Sequence, residues 1–198
     1  MDTFIQQMIN GLVLGSVYAL IALGYTMVYG VINLINFAHG EVLMIGAVTA
    51  WTVVTALSGT GWPGWLLMLI ALLAAMVVCA ILNFVIEKLA YRPLRNAPRL
   101  APLITAMGMS LLLQTLAMII WKPSPKPFPI LLDAHLYNIG GAVINTVQIL
   151  ILVVTVITLF GLMFLVNKTR IGRAMRATAE NPKAAALMGV NPDTVISF

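Results

Sequence analysis

Apolar residues fill this chain in five long stretches, and the polar residues fall almost wholly between them. From Thr3 to Gly40 there is no Asp, Glu, Lys or Arg. Further apolar stretches run from Val42 to Leu57, Leu66 to Ile86, Ala101 to Trp121 and Val143 to Val166, and Val195–Phe198 begins another. A bilayer core takes about 20 residues of helix, so the pattern predicts five membrane-crossing helices and the start of a sixth. The expected fold is an all-α polytopic membrane protein, one transmembrane domain over residues 1–198.

The interruptions are informative in their own right. Asn33, Asn36, His39, Gly40 and Glu41 break the first apolar run, and the stretch after them, Val42–Leu57, is short for a full crossing. Part of the polar segment must then lie at membrane depth, where a broken helix is tolerated only if it is buried in protein or lines a cavity. Ionisable groups in such places commonly face a water-filled path. Asn33, Asn36, His39 and Glu41 are therefore candidates for a translocation path or gate. An interfacial loop with wet side chains, or a proton relay, would fit the same residues. Gly11, Gly15 and Ala19 recur at spacing four, a stripe that predicts close helix packing. Gly59–Trp65 reads as a turn by its Gly and Pro content. Lys122–Gly141, with four prolines and two lysines, reads as an extended external loop.

Composition sharpens the class. The chain is 61% hydrophobic and 9% charged with a mean hydropathy of +1.02, whereas soluble domains carry about 25% charged residues. The net charge of +5 sits in two places. Lys88, Arg92, Arg95 and Arg99 occupy one connection, and Lys168, Arg170, Arg173, Arg176 and Lys183 another, two crossings away and so on the same side. Only Lys122 and Lys126 fall opposite. An excess of Lys and Arg marks the cytoplasmic side, which puts the N-terminus outside if the first forty residues cross once. The charge is an orientation signal and an attraction to anionic lipid or a partner, with no aromatic-lined basic groove for nucleic acid.

Catalytic and cofactor chemistry is poorly represented. The single cysteine, Cys79, lies inside an apolar run and forms no thiolate metal set. The six acids are not paired at helical spacing, no nucleophile elbow or phosphate-binding Gly-rich loop is present, and no metal, cofactor or catalytic residue is expected. The opening MDTFIQQMING lacks the positive start of a cleavable signal, so the first helix is expected to stay as an anchor. A sixth helix entered at Val195 and not crossed suggests a longer parent chain.

The most polar long segment is Lys168–Asn191. Asn181 suits an N-cap, Pro182 the first helical position and Gly189 the left-handed residue after the last turn. They bracket a short helix expected to project Ala184, Ala185, Leu187 and Met188. Lys183-Ala184-Ala185 with Gly189 resembles the EAA loop of ABC-importer permeases, with Lys183 standing where that pattern has Glu. Thr169–Asn191 together with Ile32–Ala47 is similar to branched-chain amino acid permeases of the LivH type, across essentially the whole chain.

That resemblance implies an inner-membrane, multi-pass permease subunit of a bacterial importer, without its C-terminal third. It further implies a second permease subunit, identical or different, two cytoplasmic ATP-binding subunits and a periplasmic or lipid-anchored solute-binding protein. In this light Arg173, Arg176, Pro182, Ala184, Ala185, Leu187 and Gly189 become candidates for coupling to the ATPase. Urea or short-amide import, and an ion-coupled carrier using Glu41, are the alternatives.

Overall fold

The computed structural model describes residues 2–32, 36–94, 97–98, 100–131, 135–139 and 142–197. They form two compact units, residues 1–33 with 132–196 and residues 34–131 with 197–198. Among the described residues five helices are long and apolar enough to cross a membrane.

The second unit is a three-helix assembly. Helix α1 belongs to the other unit and spans Asp2–Ile32; α2 spans His39–Leu57, α3 Gly64–Ile86 and α4 Leu100–Trp121. Helix α3 was expected to end at Glu87-Lys88. Instead the chain continues helically through a π turn over Glu87–Tyr91 and a 3-10 turn over Arg92–Leu94. Glu87 is buried rather than wet, and the longer helix carries Ala90 and Tyr91 into the core. That core joins Ala38, Val42, Ile86, Ala90 and Leu113, with Ile45, Cys79, Leu82 and Met109 against them. Helices α2 and α3 meet closely at Gly46, where an added Cβ would sit 2.7 Å from Cys79 Sγ. Any larger residue there separates the pair.

At the opposite end of α2, residues 122–131 fold back instead of extending away. Trp51 Nε1 donates to Pro127 O at 3.0 Å and Trp121 Nε1 to Thr52 Oγ1 at 2.9 Å. Lys126 Nζ lies 4.7 Å from the centre of the Trp51 ring, a cation–π contact. Leu131 O passes so near Gly64 that only glycine fits.

The first unit is built on α1, 31 residues long, or about 46 Å at 1.5 Å per residue. Its partner is α5, Thr146–Lys168. Before α5 lies an antiparallel hairpin: β1 (Leu136–Ile139) falls in the stretch expected as an extended external loop, and β2 (Ala142–Asn145) takes the first residues of the apolar run expected to cross from Val143, so the helix starts only at Thr146. Gln6 is what ties it down. Its amide donates to Val143 O at 3.1 Å and accepts from Val143 N at 2.8 Å, so one side chain stands in for a neighbouring strand. Asn145 then opens α5 with a capping box, accepting from Val147 N while its own N donates to Gln148 Oε1. The Gly11/Gly15 stripe does not mediate this packing. A Cβ at either position meets nothing within 4 Å, because α1 is held through its polar first turns and its last ones.

Short helices α6 (Arg170–Glu180), α7 (Pro182–Leu187) and α8 (Pro192–Ser197) complete the chain. Large apolar side chains such as Leu12, Leu72, Ile119 and Phe164 remain exposed on the long helices, as expected of surfaces whose solvent is lipid.

Candidate functional site

Two polar features stand out, one in each unit. The first is the approach to α2. Asn33 lies outside the described residues. Asn36 does the local work: its Oδ1 accepts from Ala38 N at 3.0 Å and from Tyr91 OH at 2.7 Å, while its backbone O accepts from His39 N at 3.2 Å. Ala38, the N-cap residue, has no side chain able to cap, so Asn36 from two positions earlier satisfies a backbone donor that would otherwise be lost at this depth. The phenol of Tyr91 anchors the turn to the extended α3.

Glu41, in the first turn of α2, reaches sideways. Its Oε1 accepts from Ser110 Oγ at 3.2 Å, and Ser110 stands at the middle of the 22-residue α4. If α4 crosses the bilayer, this carboxylate is near mid-membrane. Ala38 and Val42 pack into the core directly beside it, and His39 is half-buried on the same turn. Asn36, His39 and Glu41 are thus gathered within a turn and a half. Tyr91 and Ser110 were missed as members. Their only sequence signals were a tyrosine at the end of an apolar span and a hydroxyl within one.

The second feature follows α5. Thr169 caps α6 by accepting from Gly172 N at 3.1 Å, and Gly172 comes so close to the carbonyls of Leu165 and Val166 that no Cβ fits. This tight corner turns α6 away from the end of α5. Asn181 then accepts from Lys183 N and Ala184 N, both at 3.1 Å, and Pro182 takes the first position of α7. At the other end Val190 N donates to Ala185 O at 3.0 Å and Gly189 N to Ala186 O at 3.1 Å, with Gly189 at φ +83°. These two bonds make a Schellman motif. Six residues are thereby fixed at both ends, which an isolated turn of helix could not manage alone.

What α7 presents differs from the expectation in one respect. Ala184 is exposed, but Ala185 is turned inward and only 4% exposed, whereas Leu187 is 90% and Met188 84% exposed. The alanine is part of the seat of α7 beside α6, and the two larger side chains are its outward face. Arg173 is exposed on α6, and Arg176 bends back so that its Nη1 donates to Asn167 Oδ1 at 3.5 Å. Among the described residues no group of His, Cys, Asp and Glu could hold a metal ion.

A family model described as the permease component of branched-chain amino acid transport systems matches residues 7–198. The chain is 46% identical over 200 residues to the high-affinity branched-chain amino acid transport system permease protein BraD of Pseudomonas aeruginosa. It is 44% identical over 204 residues to the protein LivH of the same description from Escherichia coli K12. Each alignment takes in 98% of this chain and 65% of the relative, so the chain spans about two thirds of their length. The probable branched-chain amino acid transport permease protein LivH of Methanocaldococcus jannaschii is 29% identical over 199 residues, 96% of this chain and 59% of that protein. No solved structure matches the chain. With five membrane-length helices and a family match running from residue 7 to its last residue, this chain belongs to the permease-component family of branched-chain amino acid transport systems.

Proposed function

We propose that this chain is a membrane-spanning subunit of an ABC importer that carries branched-chain amino acids across the bacterial inner membrane. A second permease subunit, identical or different, completes the path. Two cytoplasmic ATP-binding subunits drive it, and a periplasmic or lipid-anchored binding protein delivers the solute. The observation that carries this reading is the extent of the match: relatives named as high-affinity branched-chain amino acid permeases align with 98% of the chain. ATP hydrolysis is assigned to the partner subunits and no catalysis to this one.

Within that function the two polar features take separate roles. The polar residues between the first two apolar runs, Asn33, Asn36, His39 and Glu41, line or gate the path. Helix α7 is the coupling element, with the basic residues before it, Arg173 and Arg176 among them, on the cytoplasmic side. Its fixed ends support this, since Asn181, Pro182 and Gly189 hold a short helix rigid while Leu187 and Met188 stand clear of the chain. Sinking each of these side chains into a partner's groove is worth about 1.5–3 kcal/mol. Ala185 contributes by seating the helix, so a charge placed there tests folding rather than docking.

The decisive variant is therefore Leu187→Asp with Met188→Asp in the assembled transporter. Expected is loss of solute-stimulated ATP hydrolysis, or loss of the ATP-binding subunits from the purified complex, with the permease still at wild-type level in the membrane. Normal leucine uptake by this variant would remove α7 from the coupling role. Uptake of urea but not leucine by the unmodified complex would overturn the substrate assignment.

A further inference from the structure

Where the last turns of α1 and α5 meet α6, a cleft of about 190 Å³ opens, lined by Met27, Gly30, Val166, Met175, Ala179 and Arg176. Its walls are apolar apart from Thr26, whose hydroxyl is spent on Leu23 O at 2.9 Å, and Arg176, whose guanidinium has Asn167 Oδ1 at 3.5 Å. A guanidinium with one weak neutral partner retains donors for a planar oxyanion pair. Met27 and Gly30 precede the end of α1 at Ile32, and Val166 the end of α5 at Lys168. If these helices cross, the cleft lies at the boundary between acyl chains and headgroups. Lys168, Arg170 and Arg173 are exposed close by in sequence, adding positive potential where anionic lipid is drawn to the membrane surface.

We propose that this cleft seats an anionic phospholipid from the leaflet on the basic side, its phosphate on Arg176 and the start of an acyl chain between Met27, Val166 and Met175. The two parts of the site select one class of occupant. A soluble phosphate has nothing to offer the apolar walls, an apolar chain alone leaves the guanidinium without an anion, and a choline headgroup meets the repulsion of the neighbouring cations. The inference goes beyond the transport reading and stands without it. It gives Arg176 a lipid contact in place of an ATPase contact.

The test is native mass spectrometry of the assembled transporter titrated with phosphatidylglycerol and with phosphatidylcholine. Wild type is expected to hold phosphatidylglycerol about tenfold more tightly, the worth of one charge-assisted hydrogen-bond pair. Arg176→Gln removes most of the preference and Arg176→Lys, which keeps the charge, retains more of it. Ala179→Leu fills the cleft and weakens retention with the arginine intact. Arg170→Gln makes the same change of charge outside the cleft and costs only the smaller part of the preference that the neighbouring cations supply. Equal affinity for the two lipids would overturn the proposal. So would equal losses in Arg176→Gln and Arg170→Gln, identical failure of both Arg176 variants, or no effect of Ala179→Leu. An absence of retained phosphatidylglycerol because another helix fills the cleft would overturn it as well.

Discussion

Lys122 follows the last turn of α4 with φ +59°, and among the described residues it is the one non-glycine with positive φ. Its N donates to Met118 O at 3.0 Å, so it does at the end of α4 what Gly189 does at the end of α7. For a residue with a Cβ that conformation costs about 1–2 kcal/mol, which glycine avoids. Lys122→Gly should then raise stability by about 1 kcal/mol, read as a higher midpoint of thermal unfolding in detergent; an unchanged or lower midpoint would mean that the lysine head group offsets the strain. Gly189 could be assigned from sequence because glycine after a capped Ala-rich segment has a conformational meaning. Lys122 could not, since lysine carries no such signal. Asn181 and Pro182 were equally legible, being local. Gln6 was not: its role is to bond an edge residue 137 positions away, and no spacing rule reports that.

At the scale of elements, the polar break before α2 was visible and its supports were not. A run of Asn, His, Gly and Glu inside an apolar stretch shows that regular helix stops. Which helices brace the stop depends on contacts across 55 residues to Tyr91 and 69 to Ser110. The end of α3 failed for a related reason. Glu87-Lys88 reads as a wet boundary by charge alone, yet the π turn through Glu87–Tyr91 carries the helix on and buries Glu87. The hairpin escaped because its strands are only four residues each, too short for an alternating pattern to register. If the extension of α3 serves to brace the break, Tyr91→Phe should remove the 2.7 Å bond to Asn36 at a cost of about 0.5–1.5 kcal/mol. Solute uptake should fall several-fold while the amount of assembled transporter is unchanged. Wild-type uptake would reduce that bond to a bystander. Glu41→Gln is the companion change: it keeps an acceptor for Ser110 and removes the charge, so loss of uptake there points to the carboxylate itself.

For the whole molecule, side-of-membrane follows from counting crossings. If all five candidate helices cross, the connections after the first, third and fifth fall on one side, and those after the second and fourth on the other with the N-terminus. Nine of the eleven Lys and Arg residues fall on the first set, the bias that positions loops in the cytoplasm. On that count the expected place of the break before α2 and of α7 is the cytoplasmic side, and that of Lys122, Lys126 and the hairpin the other. A cysteine scan checks the assignment in a Cys79→Ala background. That replacement is small, since alanine fits wherever the thiol does and gives up only a long hydrogen bond, Cys79 Sγ to Val42 O at 3.5 Å. Ser124→Cys, between the two isolated lysines, should react with a membrane-impermeant maleimide added to intact cells. Lys183→Cys, in the first turn of α7, should react only after the membrane is opened. If both cysteines react from the same side, an odd number of crossings cannot separate them. Where that shared side is the outside, helix α7 faces away from any cytoplasmic ATPase and the coupling role falls with the topology; where it is the inside, the five-crossing topology alone falls.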